Sequence, residues 1–162
     1  MRRTPRGAGE AAVAEQILIR LMTPDDIAAV MAIAASLKDA PQWGRSGYEA
    51  VFAAAPQRIA LVAEAGTVVG FVVAAVVAPE AEIESISVAA EYQRRGVGRR
   101  LFAALEVELR RLGCTEILLE VRASNAAAWE MYEGLGFREN GRRAGYYADP
   151  VEDGVLMRLG LG

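Results

Sequence analysis

Histidine is absent from the 162 residues. Without an imidazole the chain cannot build a Ser-His-Asp or Cys-His triad, a His-ligated zinc site or a haem held by a histidine, and no metal is expected. Acid–base work falls to carboxylates, tyrosine, lysine, cysteine or a water held by the backbone. Cysteine occurs once, at Cys114. One thiol closes no intrachain disulfide, and no base stands beside it, so it reads as a small core side chain rather than a nucleophile. No apolar run reaches the ~18 residues that mark a membrane span, and no signal-peptide layout is present, which makes a reducing cytoplasm the expected setting, with no membrane partner. A basic excess is missing as well: 18 basic against 21 acidic residues give −3, the wrong sign for a dedicated nucleic-acid binder.

The length predicts one domain that buries about two thirds of its unfolded surface. Residues 1–16, with Arg2, Arg3 and Arg6 among Gly, Pro, Ala and Glu, lack periodicity and are expected to be a disordered arm. The domain then runs over 17–162. A strand is predicted at 17–22, followed by Thr23-Pro24-Asp25-Asp26, an N-cap with proline at the first helical position and acids in the first turn. The helix continues to about Ser36; residues 38–47, with Pro41, Gly44 and Gly47, read as a loop, and 48–55 as a second short helix. Strand-like runs at 58–65, 67–77 and 81–89 have short connections, which imply an antiparallel meander.

A helix over 98–112 carries Leu101, Leu105, Leu109 and Leu112 on one stripe, and Gly113 ends it. Residues 116–122 form a strand, 125–135 a helix, and 136–141 and 154–159 closing strands. The order βααβββαβαββ predicts an α+β fold: a mixed, mostly antiparallel sheet flanked by helices.

Three features carry chemistry. The first is the stretch Gln93-Arg94-Arg95-Gly96-Val97-Gly98-Arg99 between a strand and a helix. Glycines there let the backbone approach a ligand, and the unpaired amides of a helix start point outward with positive dipole behind them, which suits a pyrophosphate. Paired glycines also occur in ordinary helix-capping loops. A Rossmann fingerprint is excluded by Leu101 at the third-glycine offset, and a P-loop by Arg99 after Gly98.

The second is Glu120 in Ile117-Leu118-Leu119-Glu120-Val121-Arg122. Strand parity sets Ile117, Leu119 and Val121 on one face and Leu118, Glu120 and Arg122 on the other. Burying a carboxylate is a common way to fit it for proton transfer near neutral pH; the competing reading is a plain Glu120–Arg122 pair at a strand end. The third is the helix in which Asn125, Trp129 and Tyr132 share a face that can meet an extended ligand, unless the aromatics are simply core. Tyr132 carries a phenol able to donate a proton to a leaving group.

Jointly these residues resemble the GNAT superfamily of acyl-CoA-dependent N-acyltransferases, whose phosphate signature the run Gln93 to Gly98 matches. They are most similar to the RimI type, the bacterial ribosomal-protein-alanine N-acetyltransferases, through Tyr92 to Gly98, Leu119 to Ala128, Met131-Tyr132-Glu133, Leu135-Gly136-Phe137, and Arg142-Arg143 before Gly145-Tyr146-Tyr147. The similarity is strong from about Ala81 to Leu159. It implies a GNAT-like fold and acetyl-CoA as co-substrate, held by Ile86, Ser87 and Val88 at a strand end, by Arg94, Arg95, Gly96, Val97, Gly98 and Arg99 in the turn, and by Asn125. An amide near Val88 would polarise the thioester carbonyl.

It further implies Glu120 as general base, through water, Tyr132 as general acid, and direct transfer in a ternary complex to the N-terminal α-amine of a protein such as a ribosomal protein. Glu82 and Glu84 offer a second base, since other branches of the superfamily use a carboxylate from that strand. Tyr146, Tyr147 and the loop around Trp43 are candidates for a peptide groove. The alternatives are a GNAT that acetylates a small amine or an aminoacyl-tRNA, or a non-catalytic acyl-CoA-binding regulatory module.

Overall fold

The computed structural model describes residues 16–162. The expected arm at 1–16 therefore lies, but for Gln16, outside the described residues. β1 (Leu18–Leu21) leads through a 3-10 turn (Pro24–Asp26) to α1 (Ile27–Ser36), α2 (Arg45–Glu49) and a second 3-10 turn (Ala50–Phe52). The meander β2 (Arg58–Ala65), β3 (Thr67–Val77) and β4 (Glu80–Val88) follows, then α3 (Val97–Arg111), β5 (Glu116–Arg122), α4 (Ala126–Gly134), β6 (Arg138–Tyr147) and β7 (Glu152–Gly160). Among the described residues no helix is long and apolar enough to cross a membrane.

All seven strands join one sheet in the order β1-β2-β3-β4-β5-β7-β6. Every neighbouring pair is antiparallel except β4 with β5. That parallel pair is a consequence of the sequence: the long amphipathic helix α3 between the two strands provides the crossover that parallel neighbours require.

Each face of the sheet has its own core. One gathers Val72, Ala74 and Ile83 with Leu101, Leu105 and Leu109 of α3 and with Tyr132 and Phe137. Of the leucine stripe read from the sequence, Leu101, Leu105 and Leu109 are fully buried there and Leu112 is partly buried at the helix end; each Leu-to-Ala truncation at a fully buried site costs about 2–5 kcal/mol. The other face packs Ile27, Val30 and Ile33 of α1 and Tyr48 of α2 on Val62, Phe71 and Val73. At the start of α1, Arg20 bridges Asp26 and Glu64 at 2.8 and 2.7 Å. Cys114 is buried, as a core residue would be, and burial pushes its thiol pKa up.

Two boundaries differ from expectation. The second helix begins at Arg45, capped by Gly44, rather than at Tyr48. Arg45-Ser46-Gly47 has no apolar period; the turn is held instead by Trp43, whose ring lies 5.1 Å from that of Tyr48. β6 runs on from Gly141 to Tyr147. It is an edge strand, exposed along most of its length, so no hydrophobic alternation announces it.

Candidate functional site

The parallel pairing of β4 and β5 is short. Glu80, Ala81 and Glu82 face Glu116, Ile117 and Leu118, and there the register ends. Beyond it the two strands part, and β4 continues to Val88 with β3 as its only strand partner among the described residues. Ile86, Ser87 and Val88 thus present a backbone edge into the opening. Such an edge offers amide and carbonyl groups in strand spacing to an extended ligand. The Val88 carbonyl is taken: it accepts from the Gln93 carboxamide at 3.0 Å.

The chain then turns into α3. Arg94 and Gly96 both adopt positive φ, +62° and +79°, and Gly96 is the N-cap. Alternation of left- and right-handed residues before a helix turns successive amides toward one point, an anion-binding concavity. Nothing lies within 4 Å of where a Cβ on Gly96 would stand; its glycine is required by φ, and the space beside it is open. Gly98 differs, since a Cβ there would meet Met131 Sδ at 3.5 Å, ordinary contact. The arginines divide. Arg100 turns back to donate to the Ile17 carbonyl at 2.7 Å, and Arg95 lies over the Tyr92 ring. Arg99 reaches the C-terminal end of α4, its Nη2 standing 3.1 Å from the Cβ position of Gly134.

Across the opening, β5 shows the predicted parity: Ile117, Leu119 and Val121 are buried, and Glu120 lies on the opposite face. The Glu120–Arg122 pair does not form. Arg122 pairs with Glu152 at 3.3 Å and stacks on Tyr147 at 4.4 Å. The cation beside Glu120 is Arg143 of β6, whose Nε stands 3.4 Å from Oε1. That oxygen is buried and has no hydrogen-bond partner, so the contact is an ion pair without a donated proton. Glu82 shares the neighbourhood. Its carboxyl is raised above the usual range, first by desolvation and then by Glu84 and Glu120, against the pull of Arg143. Glu84 is committed elsewhere, to Arg58.

Tyr132 is buried against Phe137, ring centroids 5.7 Å apart. Burial, with a smaller contribution from Tyr147, pushes its phenol up to about 12. Tyr147 is raised by burial and then by Glu120. Tyr147 is thus within electrostatic range of both Glu120 and Tyr132. Asn125 caps α4: its Oδ1 accepts from the Ala128 amide at 3.1 Å, leaving its NH2 group to reach a ligand. Trp129 packs on the core, yet its buried Nε1–H has no partner. Trp43, considered for a groove, instead packs locally on Tyr48.

Three contributors escaped the sequence reading. Gly70 on β3 admits α3: a Cβ there would stand 3.2 Å from the Ser87 carbonyl, 3.3 Å from Leu101 and 3.4 Å from Val97. Gly154 on β7 makes room for the carboxylate, since a Cβ there would lie 3.1 Å from Glu120 Oε1 and 3.2 Å from the Tyr146 ring. Its φ is not in the left-handed region, so the requirement is space rather than backbone conformation. A glycine in the interior of a strand is the signal that could have found both. Arg143 is the third; only the β6–β7 pairing reveals what it faces.

Known proteins are similar to this chain in sequence and fold. The chain is 45% identical over 96 residues to the [ribosomal protein bS18]-alanine N-acetyltransferase of Escherichia coli (strain K12), a match covering 58% of this chain and 65% of that relative. It thus spans less than two thirds of the length of that curated relative. The crystal structure of the ribosomal-protein-S18-alanine N-acetyltransferase from Escherichia coli is similar with a TM-score of 0.77 and 33% identity, covering 90% of this chain and 94% of the other. Ard1 from Thermoplasma volcanium superimposes with a TM-score of 0.81 at 28% identity, over 90% and 97% of the two chains. With the acetyltransferase (GNAT) family matching residues 28–137, across the turn before α3, β5 and α4, the chain belongs to the GNAT acetyltransferase family.

Proposed function

We propose that the protein is an acetyl-CoA-dependent N-acetyltransferase acting on the N-terminal α-amine of a protein, with a ribosomal protein as the favoured acceptor. The observation that carries this reading is the parting of β4 and β5 beyond Glu82 and Leu118, with Glu120 on β5 past that point and Tyr147 within electrostatic range of both Glu120 and Tyr132. The donor set fits acetyl-CoA: a strand edge at Ile86 to Val88 that β5 does not cover, open space beside Gly96, and the arginines Arg94, Arg95 and Arg99 around the helix start. When bound, acetyl-CoA supplies an acyl group already activated as a thioester, so no enzyme nucleophile is needed. That accords with a chain lacking histidine.

In this reading Arg94 to Arg99, with the amides of Gly96, Val97 and Gly98, hold the pyrophosphate, and the free amide group of Asn125 steadies the remainder. Glu120 takes a proton from the incoming ammonium, directly or through one water, its Oε1 being held in the interior beside Arg143. Tyr132 is the proton donor to the departing thiolate; with a pKa of about 12 it carries its proton at every working pH. Exclusion of water comes from the buried setting of both groups. Tyr146 and Tyr147, stacked edge to face at 5.1 Å, offer an aromatic wall to the acceptor.

The sequence similarity to bS18-alanine N-acetyltransferases supports a protein N-terminus over a small amine or an aminoacyl-tRNA, and a net charge of −3 gives no field that attracts tRNA. A cytoplasmic location and one domain over 17–162 belong to the same reading. Incubating the protein with acetyl-CoA and peptides beginning with Ala or Ser, beside small amines, tests it: acetyl on peptide α-amines supports the proposal, and acetyl on small amines alone overturns it.

A further inference from the structure

We propose that Arg143 is a positioning residue for the reaction, standing against the buried Oε1 of Glu120 and so orienting the carboxylate for proton transfer. This deepens, and rests on, the reading of Glu120 as the base.

The geometry is specific. Arg143 stands opposite Gly154 in the β6–β7 ladder, and Gly154 stands opposite Arg122 in the β7–β5 ladder. The Arg143 side chain therefore reaches the Glu120 carboxylate over a residue that has no Cβ to obstruct it. Any side chain at 154 would crowd Oε1 at 3.1 Å and the carboxyl carbon at 3.3 Å. The guanidinium also lies over the Tyr146 ring at 5.3 Å, which limits its wandering. At 3.4 Å, and outside hydrogen-bond geometry, Arg143 acts on Glu120 through charge.

The neighbourhood calls for such a cation. Glu120 is faced by Glu82 from β4, by Tyr147 and Arg143 from β6, and by Arg122 on its own strand, which Glu152 of β7 already engages. Tyr132 of α4 comes near through Tyr147. Among these groups Arg143 is the cation not held by another carboxylate. Without it, two carboxylates would face each other, and one would tend to keep its proton.

The test compares full-length wild type, Arg143→Gln, Arg143→Lys, Glu120→Gln and the Glu120→Gln/Arg143→Gln double variant, with acetyl-CoA and a peptide beginning with alanine. The expected result is that Arg143→Gln lowers kcat roughly 3- to 30-fold with the acetyl-CoA KM unchanged. The rising limb of its pH profile moves upward, as loss of a neighbouring cation requires. Arg143→Lys recovers most of the loss, and in the Glu120→Gln background Arg143→Gln adds less than about twofold.

A limb that stays in place, a change confined to the acceptor KM, or an equal loss in both backgrounds overturns the proposal, because Arg143 would then act on the acceptor or brace the hairpin. A Glu120→Gln enzyme with wild-type rate and limb defeats the base reading itself, and is distinguished by appearing with Arg143 intact.

Discussion

Arg58 on β2 and Glu84 on β4 close a 2.7 Å ion pair in which both side chains are largely buried, 18% and 24% exposed. Glu84 sits at the irregularity where the β3–β4 register shifts, between Ile83 and Ser85. The pair separates the two acids of β4: Glu84 is neutralised in place, while Glu82 stays near Glu120. Glu84→Gln is therefore expected to lower stability by about 1–2 kcal/mol and to leave the pH–rate profile in place. Thermal unfolding and a pH series on the same variant check both halves.

Glu120→Gln is expected to reduce kcat by a factor on the order of 10² to 10⁴, to remove the rising limb of the profile, and to keep acetyl-CoA affinity. Glu82→Gln should cost less than about tenfold, since Glu82 contributes charge beside the base rather than the transfer. A larger loss in Glu82→Gln than in Glu120→Gln would exchange the two roles.

Tyr132→Phe removes one oxygen from a buried ring, so it should keep the fold and slow turnover by about 10- to 1,000-fold. Because the phenol pKa is about 12, wild-type activity should show no falling limb from Tyr132 at any pH below about 11. Full activity in the phenylalanine variant would remove the acid assignment.

The two glycines of the turn should respond differently. Gly96→Ala forces an alanine to φ +79° and is expected to cost about 1 kcal/mol and to raise the acetyl-CoA KM several-fold. Gly98→Ala adds a methyl at ordinary contact distance from Met131 and should be nearly silent. Binding isotherms for acetyl-CoA with both variants discriminate them.

Asp26 supplies a test of stability. Hydrogen bonds from Arg20, opposed by burial and aided by the Thr23 amide, hold its carboxyl at about 2. Because the folded value lies below the ordinary one, the pair stabilises the protein above about pH 4, and the contribution, about 1–2 kcal/mol, is lost as pH falls from roughly 4 to 2. Asp26→Asn should flatten the acid limb of the stability curve.

Much of this was readable in one dimension, for physical reasons. The meander showed because its strands alternate or are wholly apolar between short turns, and α3 because Leu101, Leu105 and Leu109 repeat at helical spacing. Glu120 stood out as a charge in an apolar strand, and Gly96 as a glycine before a helix. The partner of that charge was not legible: Arg122, two residues on, was the cation the sequence offered in the competing reading, but the one that reaches Glu120 is Arg143, delivered by an edge strand whose exposed residues carry no pattern. Gly70 and Gly154 could be flagged as glycines inside strands, but not interpreted, because a glycine's meaning there is the group it makes room for, and that neighbour comes from another strand or helix.

Mass spectrometry of a peptide panel incubated with the full chain and acetyl-CoA tests the central claim most directly. The account predicts a single acetyl group on the α-amine of peptides beginning with Ala or Ser, absent with Glu120→Gln. Acetylation of small amines with no peptide product, or undiminished peptide acetylation in Glu120→Gln, would contradict it.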